Sequence, residues 1–332
     1  MPTIRASYDV ITIGAATRDL FLRSPDVRVV RDRSVTSGEA ALIPLGSKID
    51  VRSLVVATGG GATNAAATFA RFGFRTAFFG KVGDDDDGRA VLRDLQQRGI
   101  DTRFVVRDRD DPTALSVLLS VPHHGRTVLV SRGASSDLSR RDVPLGRVAP
   151  RWLYVTSLGG DLSLLRWVLV SASRRRIPVF VNPGTGELAH PVALRTILRR
   201  ASVVLLNREE AGRLVGRRSD PVLALVRRLR RYWPATIICT DESAGAWAVA
   251  GATFYHAGTH PDARVVERTG AGDAFGSGFL TGLLRSNGDI ALALQYATLN
   301  AESVMQRVGA KNGILSRSPS SRRFVPLTMA AL

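Results

Sequence analysis

The sequence has little cysteine, little lysine and no long apolar run. Its one cysteine, Cys239, excludes an intramolecular disulfide, and its place in the apolar segment TIICTD predicts a buried thiol on a strand. No apolar segment approaches the roughly 20 residues that a membrane-spanning helix needs. The first residues are more typical of a strand than of a signal peptide. We therefore expect a cytoplasmic protein with no membrane partner.

Two common nucleotide-binding motifs are also missing. A Walker A loop needs Gly-Lys-Ser/Thr, but Lys81, the one lysine that follows a glycine, is followed by Val82. After the first predicted strand, GAATRD lacks the second and third glycines of the dinucleotide fingerprint. These absences argue against a Walker-type nucleotidase and against a dinucleotide-dependent dehydrogenase.

The charge is strongly positive and almost entirely due to arginine. The formal net charge is +17 in 332 residues, and lysine occurs only at positions 48, 81 and 311. The arginines are spread over predicted helices, whereas a nucleic-acid site concentrates charge on one face beside aromatic side chains. We therefore expect solvated helix faces and no nucleic-acid partner. The positive field would still favour an anionic nucleotide or a phosphorylated substrate.

Strands and helices alternate from Arg151 onward. Short β-branched runs separated by amphipathic helices predict an α/β fold with parallel strands and right-handed crossovers. The predicted strands lie in segments 152–158, 178–184, 202–207 and 236–241, and segments 9–14 and 76–83 are expected in the same sheet.

Two segments lack helical spacing and alternate as strands do, residues 21–57 and 103–131. The second contains a predicted hairpin that turns near His124–Gly125. We interpret the two segments as one small β lid over a main domain. That main domain would comprise residues 1–20, 58–102 and 132–315. Residues 316–332 form a tail that is either flexible or packs back through Phe324 to Leu327.

A glycine-rich junction, RTGAGDAFGSGF, carries the first chemical signal. Gly270, Ala271 and Gly272 precede Asp273 and an apolar helix, so several backbone N–H groups would point outward at the helix N-terminus and bind an anion. A carboxylate repels a phosphate, because both are negatively charged, so it would not serve to bind the anion. It can serve as the base that takes the proton from a hydroxyl group attacking the phosphate. The alternative is that Asp273 is a plain N-cap.

A second glycine cluster, TGGGATNAAATFARFG, carries the other signal. Gly59 and Gly60 predict a tight turn and close backbone approach, and Asn64 adds one polar side chain at the entrance of an alanine-rich helix. The cluster fits a pocket for a polyhydroxylated ligand. A glycine loop with an asparagine cap is the equally weighted alternative.

Together the two clusters resemble the paired signatures of the ribokinase-like (PfkB) carbohydrate kinases. Three further segments resemble family elements in the family's order, at residues 80–101, 205–216 and 300–310. The resemblance covers roughly residues 8 to 315. It implies a three-layer α/β domain with a parallel sheet and a small β lid.

The resemblance also implies ATP-dependent transfer of the γ-phosphoryl group to a sugar hydroxyl. Asp273 would be the base, and the backbone of Gly270–Asp273 would form the anion hole through the amides of Ala271, Gly272 and Asp273. Asn207 and Glu210 would hold Mg²⁺ through water. The substrate would be held by Asp19, Gly59, Gly60 and Asn64, and the nucleotide by Asn207, Glu210, Thr240, Gly245 and Asn300. The lid would close to exclude water and would pair across a homodimer.

The chain departs from the family pattern at two places. Glu267–Arg268–Thr269 stands where the family usually has Asp-Thr-Thr, which puts a possible monovalent-cation site in question and places an extra positive group near the phosphates. Thr240–Asp241–Glu242 stands where the family has Thr-Leu-Gly, which would alter how the nucleotide is held or which nucleotide is used.

Several functions stay open at this point. The acceptor could be a free sugar, a nucleoside or a sugar phosphate, and the arginine excess weakly favours the phosphate. A non-catalytic sugar or nucleotide sensor on the same scaffold is the alternative of a different class. The intact Gly270–Asp273 motif argues against a sensor, because a pure sensor needs no base.

Overall fold

The computed structural model describes residues 6–35, 38–121 and 125–331. The strands are β1 (Ala6–Ile13), β2 (Thr17–Arg23), β3 (Arg28–Arg31), β4 (Glu39–Leu42), β5 (Ser53–Gly59), β6 (Thr76–Phe79), β7 (Lys81–Gly83), β8 (Val106–Asp108), β9 (Ala114–Val121), β10 (Gly125–Ser131), β11 (Val148–Val155), β12 (Val179–Val181), β13 (Val203–Asn207), β14 (Thr236–Thr240), β15 (Ala246–Ala250), β16 (Thr253–Ala257) and β17 (Leu327–Ala331). The helices are α1 (Gly61–Arg71), α2 (Asp86–Gln97), α3 (Leu162–Arg174), α4 (Pro191–Leu198), α5 (Arg208–Val215), α6 (Val222–Arg230), α7 (Ala271–Arg285) and α8 (Ile290–Met305).

The main sheet has nine strands in the order β17-β16-β15-β14-β13-β12-β11-β1-β6. Every pair from β14 to β6 is parallel, as predicted, and β15, β16 and β17 extend the sheet with antiparallel pairs. Parallel strands end at the same edge of a sheet, so the residues that follow β1, β11, β13 and β14 meet there. That edge carries the site described below.

Helices cover both faces of this sheet, which confirms the predicted three-layer α/β fold. Buried strand residues alternate between two cores, because successive side chains of a strand point to opposite faces. Val204 and Leu206 pack with α3, α4, α5 and α6, whereas Val203 and Leu205 pack with α7 and α8. Cys239 is fully buried on β14, as its apolar segment predicted.

A separate four-stranded sheet, which we call the small sheet, has the order β10-β9-β2-β5 and the position of a lid. The antiparallel pair β9–β10 is the predicted hairpin, and its tip, including His124, lies outside the described residues. β2 begins at Thr17 and β5 ends at Gly59, so the sheet reaches further along the chain than residues 21–57. The division of the chain into domains itself stays a prediction.

The structure changes one prediction about the strands of the main sheet and decides another about the C-terminal tail. Within segment 76–83 only β6 joins the main sheet; the chain turns at Gly80, and β7 pairs in parallel with β8 instead. The tail packs back: Val325 is buried, and β17 adds an antiparallel strand beside β16. Across the described part of the chain, no helix has both the length and the apolar character needed to cross a membrane.

Candidate active site

The first turn of α7 is shaped for close approach to its backbone. Gly270, the residue before the helix, has φ of 81°, and a Cβ there would lie 2.3 Å from the Cβ of Ala310. Both facts require glycine at this position, because other residues rarely adopt the left-handed conformation. Gly272 is exposed and nothing lies within 4 Å of the Cβ it lacks. The helix therefore presents bare backbone to the surroundings.

Two amides in this turn are free to bind an anion. No protein acceptor among the described residues takes a hydrogen bond from the N–H of Gly272 or of Asp273. The N–H of Ala271 donates to the carbonyl oxygen of Arg268 at 3.2 Å, so it is already engaged. The helix N-terminus thus offers two amides, and the positive end of the helix dipole adds to their attraction for phosphate oxygens.

Asp273 does not cap its helix. Gly270 is the N-cap residue and no side chain caps this terminus. The Asp273 carboxylate instead accepts a hydrogen bond from the Asn64 Nδ2 at 2.8 Å, and a Cβ on Gly61 would approach its Oδ1 to 3.0 Å. The glycine cluster and the glycine-acid junction are therefore in contact, with the carboxylate between them.

The surroundings of Asp273 disfavour its charge. Burial raises the pKa of its carboxyl above the usual range, the Asn64 hydrogen bond opposes this, and the negative charge of Asp19 raises the pKa further. The charge of Lys311 acts in the opposite direction. A carboxylate whose proton affinity is raised in this way is suited to accept a proton from an alcohol.

Asp19 lies beside the same glycine cluster. A Cβ on Gly59 would fall 1.9 Å from the Asp19 Oδ2, so only glycine leaves room for this carboxylate. Thr17 donates a hydrogen bond to its Oδ1 at 2.7 Å. Burial raises the pKa of Asp19 also, although Lys311 and the hydroxyl donors act against it. Gly60 has φ of 94°, and a Cβ there would meet the Ala15 carbonyl oxygen at 2.4 Å.

Three buried polar atoms near Asp273 have no hydrogen-bond partner among the described residues: Asn64 Oδ1, Thr156 Oγ1 and Tyr154 Oη. Thr156 packs against Gly61, and the charge of Asp273 contributes to the raised pKa of Tyr154, after burial. Buried polar groups are normally paired, so unpaired ones beside the Asp273 carboxylate indicate a ligand site. Sequence reasoning did not single out Thr156, although its place directly after a buried parallel strand was a usable signal.

Lys311 is the second residue that sequence reasoning missed. Its side chain is buried, and its Nζ donates to the Thr58 Oγ1 at 2.8 Å and lies 3.2 Å from the Asp94 Oδ2. Burial lowers the pKa of Lys311 to about 8. Its scarcity was a signal, because lysine supplies only three of the 46 basic residues.

Comparisons with known proteins identify the family of the chain. The family model described as pfkB family carbohydrate kinase matches residues 31–317. The chain belongs to this family. As a pfkB kinase it is a phosphotransferase that acts on sugar hydroxyl groups.

Named relatives support the same assignment. The chain is 30% identical to a fructokinase from Klebsiella pneumoniae over 244 residues, which are 69% of this chain and 78% of that one. It is 27% identical to the ribokinase of Bacillus subtilis over 314 residues, 93% of this chain and 97% of the other. The ribokinase of Arabidopsis thaliana, solved with ribose and ATP, has the same fold, with a TM-score of 0.76 at 20% identity and coverage of 93% and 96%.

The predicted metal ligands of this pfkB kinase form a capping box. The Asn207 Oδ1 accepts from the N–H of Glu210 at 2.9 Å, and the Glu210 Oε2 accepts from the N–H of Asn207 at 2.8 Å. Burial raises the pKa of Glu210. No group of three metal-binding side chains occurs in the described ranges. One carboxylate oxygen outside the box suits a Mg²⁺ ion that keeps most of its waters, and direct coordination by several side chains does not fit.

The other predicted nucleotide contacts differ in their surroundings. Thr240 ends β14, and Gly245 has φ of 92° with its missing Cβ 2.1 Å from the Ala257 carbonyl oxygen, so the loop after β14 needs this glycine. Asn300 is fully buried, donates to the Ala274 carbonyl oxygen at 2.8 Å and accepts from the Leu315 N–H at 3.1 Å. This placement favours a structural role that ties α8 to α7, and the geometry gives no support to a nucleotide contact by Asn300.

The two departures from the family pattern meet in space. Arg268 Nη1 lies 3.1 Å from the Glu242 Oε2, and both side chains are largely exposed. Glu242 has φ of 43°, in the region that favours glycine, which the family usually has here. The ion pair thus bridges the loop after β14 and the loop before α7.

Glu267 is held by protein groups rather than left open for a cation. Its Oε1 accepts from the N–H groups of Arg268 and Thr269, and the Arg126 guanidinium of the small sheet lies 3.6 Å from it. A monovalent cation bound at this carboxylate would compete with that guanidinium. The predicted cation site is therefore without geometric support.

Proposed function

We propose that this pfkB kinase transfers the γ-phosphoryl group of ATP to a hydroxyl group of a sugar, with Asp273 as the general base. The observation that carries the proposal is the contact between Asp273 and Asn64 beside two amides without an acceptor. A capping aspartate would use those same amides; here they are left for phosphate oxygens.

The chemistry follows from the position of each group. Asp19 and Asn64 bind hydroxyl groups of the sugar and place one of them next to Asp273, whose carboxylate takes the hydroxyl proton. The sugar oxygen then forms a bond to the γ-phosphorus as the bond from that phosphorus to the bridging oxygen of ADP breaks. The amides of Gly272 and Asp273 stabilise the charge of the moving phosphoryl group.

The nucleotide is proposed to lie between the loop after β14 and the first turn of α7. Thr240 and Gly245 border this region, and the phosphates would extend toward the amides of Gly272 and Asp273. Glu210 and Asn207 would hold Mg²⁺ through water. The ion would neutralise phosphate charge and leave the proton transfer to the protein.

A free sugar is the proposed acceptor. The relatives include a fructokinase and a ribokinase, and the buried carboxylate of Asp19 provides an acceptor for hydroxyl hydrogens. A coupled assay for ADP release with ribose, fructose, fructose phosphates, adenosine, guanosine and inosine tests this. We expect turnover with ribose or fructose. Turnover with the nucleosides alone would show that the acceptor is a nucleoside and not a free sugar. Binding without turnover of any compound would support a sensor.

We propose that the small sheet pairs with a second copy of the chain. The register places nine aliphatic side chains on one face of its four strands, the face opposite Asp19. They are Leu20, Leu22, Leu54, Val56, Leu115, Val117, Leu119, Val121 and Leu129. Leu54, Val56 and Leu129 are 55%, 45% and 62% exposed. A self-complementary apolar patch of this kind is the usual basis of a twofold dimer.

Leu129→Glu is expected to convert the dimer to a monomer, because a charge on the apolar face would be buried without a partner. Light scattering coupled to gel filtration measures the mass. Val192→Glu is the matched control: Val192 is 67% exposed on α4, away from this sheet, and its variant should stay dimeric. A monomeric wild type at high concentration would contradict the proposal.

Glu242→Gly is expected to lower the KM for ATP severalfold. The substitution removes a carboxylate from the proposed phosphate region, frees Arg268 to pair with a phosphate, and relieves the left-handed backbone. Steady-state kinetics at saturating sugar measure the effect. Glu209→Gly would not be a suitable control, because Glu209 lies in a helix and the glycine would destabilise it. The control is Glu242→Gln, which removes the charge and keeps the strained backbone. An unchanged KM in both variants would place the phosphates elsewhere.

A further inference from the structure

A cleft with a strong positive charge lies outside the site described above. We call it the basic cleft and define it by Arg18, Arg93, Arg98 and Lys311, together with Asp94. It lies between α2, the β2–β5 pair and the loop after α8, and its volume is about 330 Å³. That volume is at the small end of the range for sites that bind small molecules.

The positive charges of the basic cleft are only partly neutralised. Asp94 is the one carboxylate in the lining; its Oδ1 lies 2.8 Å from the Arg98 Nε, and its Oδ2 lies 3.2 Å from the Lys311 Nζ. Arg93 is exposed and has no ion pair with any residue in the described ranges. The excess of cationic groups over carboxylates in so small a cleft costs electrostatic energy, which a bound anion would recover.

Buried cationic groups form the inner part of the basic cleft. The Arg18 Nε is buried and forms an ion pair with the Asp87 Oδ1 at 3.2 Å. The Lys311 side chain is 3% exposed, so its ammonium group is held at the inner wall. Gln97 and Asn312 add amide groups to the lining. Guanidinium, ammonium and amide donors together match the oxygens of a phosphate group.

The basic cleft is distinct from the anion site at the start of α7. In the β2–β5 pair, Arg18 is opposite Thr58 and Asp19 is opposite Ala57. Because successive side chains of a strand point to opposite faces, Arg18 lies on the other face of the sheet from Asp19. The two sites are linked through Lys311, whose Nζ binds the Thr58 hydroxyl immediately before Gly59.

We propose that the basic cleft binds a phosphate monoester, such as the phosphate group of a phosphorylated sugar. The phosphate oxygens would accept hydrogen bonds from Arg93 and Arg98 at the rim and from Lys311 at the inner wall. The same chemistry would serve an acceptor that carries its own phosphate or a separate phosphorylated ligand that acts on the kinase.

Calorimetry with inorganic phosphate as the probe tests the site. The full chain is titrated in the presence of saturating AMP-PNP, which occupies the proposed nucleotide site, and again without it. We expect one saturable phosphate site that persists with AMP-PNP, and a loss of affinity of at least about tenfold in the Arg93→Gln/Arg98→Gln double variant. Arg93 is exposed on α2 and Arg98 is the C-cap residue of that helix, so neither side chain belongs to the core and the variant should fold. Arg166→Gln, on the exposed face of α3, is the control.

Two outcomes would overturn the proposal. One is the absence of saturable phosphate binding in the presence of AMP-PNP. The other is equal affinity in the double variant and the wild type. A Lys311→Met variant that folds, as judged by circular dichroism, should lose affinity in the same way as the double variant.

Kinetics then identify the source of the phosphate. If the acceptor carries it, the double variant raises the KM for fructose 6-phosphate at least about tenfold and leaves the KM for fructose unchanged. If a separate ligand carries it, phosphate changes the turnover of fructose by the wild type and has no effect on the double variant. A failure of turnover with all sugars would remove the proposed function, while the calorimetric result would still decide whether the basic cleft binds phosphate.

Discussion

Asp273→Asn is expected to lower kcat roughly a thousandfold, because the amide cannot accept the proton of the acceptor hydroxyl. The substitution keeps the size of the side chain and still offers an oxygen to the Asn64 Nδ2, which lies 2.8 Å from the carboxylate in the wild type. Binding of the sugar should therefore change little. The test is a comparison of kcat and KM under saturating ATP.

The same variant is expected to be more stable than the wild type at neutral pH. Burial raises the pKa of the Asp273 carboxyl in the folded state, so ionisation at neutral pH costs folding free energy. The unfolded chain ionises near the ordinary pKa of about 3.9. The cost is therefore absent below that pH and grows as the pH rises through the folded-state pKa. Urea unfolding at pH 7.5 should show the gain, and at low pH the gain should vanish.

A matched control separates this effect from the general removal of one negative charge. Asp110 is exposed, and Asp110→Asn should leave both kcat and the free energy of unfolding unchanged. Full activity of Asp273→Asn would show that the base lies elsewhere. Loss of activity together with loss of stability would indicate that Asp273 serves the fold rather than the reaction.

Gly59→Ala is expected to lower kcat/KM about a hundredfold, since a displacement of about 1 Å in a binding group can cost that much. The new Cβ would fall 1.9 Å from the Asp19 Oδ2, so the carboxylate has to move away from the position in which we propose that it binds the sugar. The backbone of Gly59 is not in the left-handed region, so the loss would come from the displaced carboxylate rather than from backbone strain.

Gly146→Ala is the control for Gly59→Ala. Gly146 also has an ordinary backbone conformation, and nothing lies within 4 Å of the Cβ that alanine would add. Its kinetics should match those of the wild type. Unchanged kcat/KM in Gly59→Ala would mean that the Asp19 carboxylate, in the position that it has in the structure, does not bind the substrate. Asp19→Asn would then be expected to be neutral as well.

Local patterns were sufficient for the parallel part of the fold. The strands β11 to β14 follow directly from short β-branched runs, and the parallel sheet follows from the helices between them. The antiparallel strands β15 and β16 were not predicted. Local pattern does not determine the structure of the tail, because a short segment such as Leu327–Ala331 forms a strand only when the edge of β16 is available to pair with it. The role of Asn300 could not be predicted from the sequence. Only the packing of α8 shows that its amide forms hydrogen bonds with the backbone of Ala274 and Leu315.

The sequence by itself determined the α/β class, the family and the two glycine clusters, because these depend on residue types at short spacing. Only the tertiary structure decided that Asp273 is not a cap, since its partner Asn64 is 209 residues away along the chain. It alone placed Lys311 against Asp94 and Thr58 and joined Glu242 to Arg268. Contacts between distant residues depend on how strands and helices pack, and no local pattern records that packing.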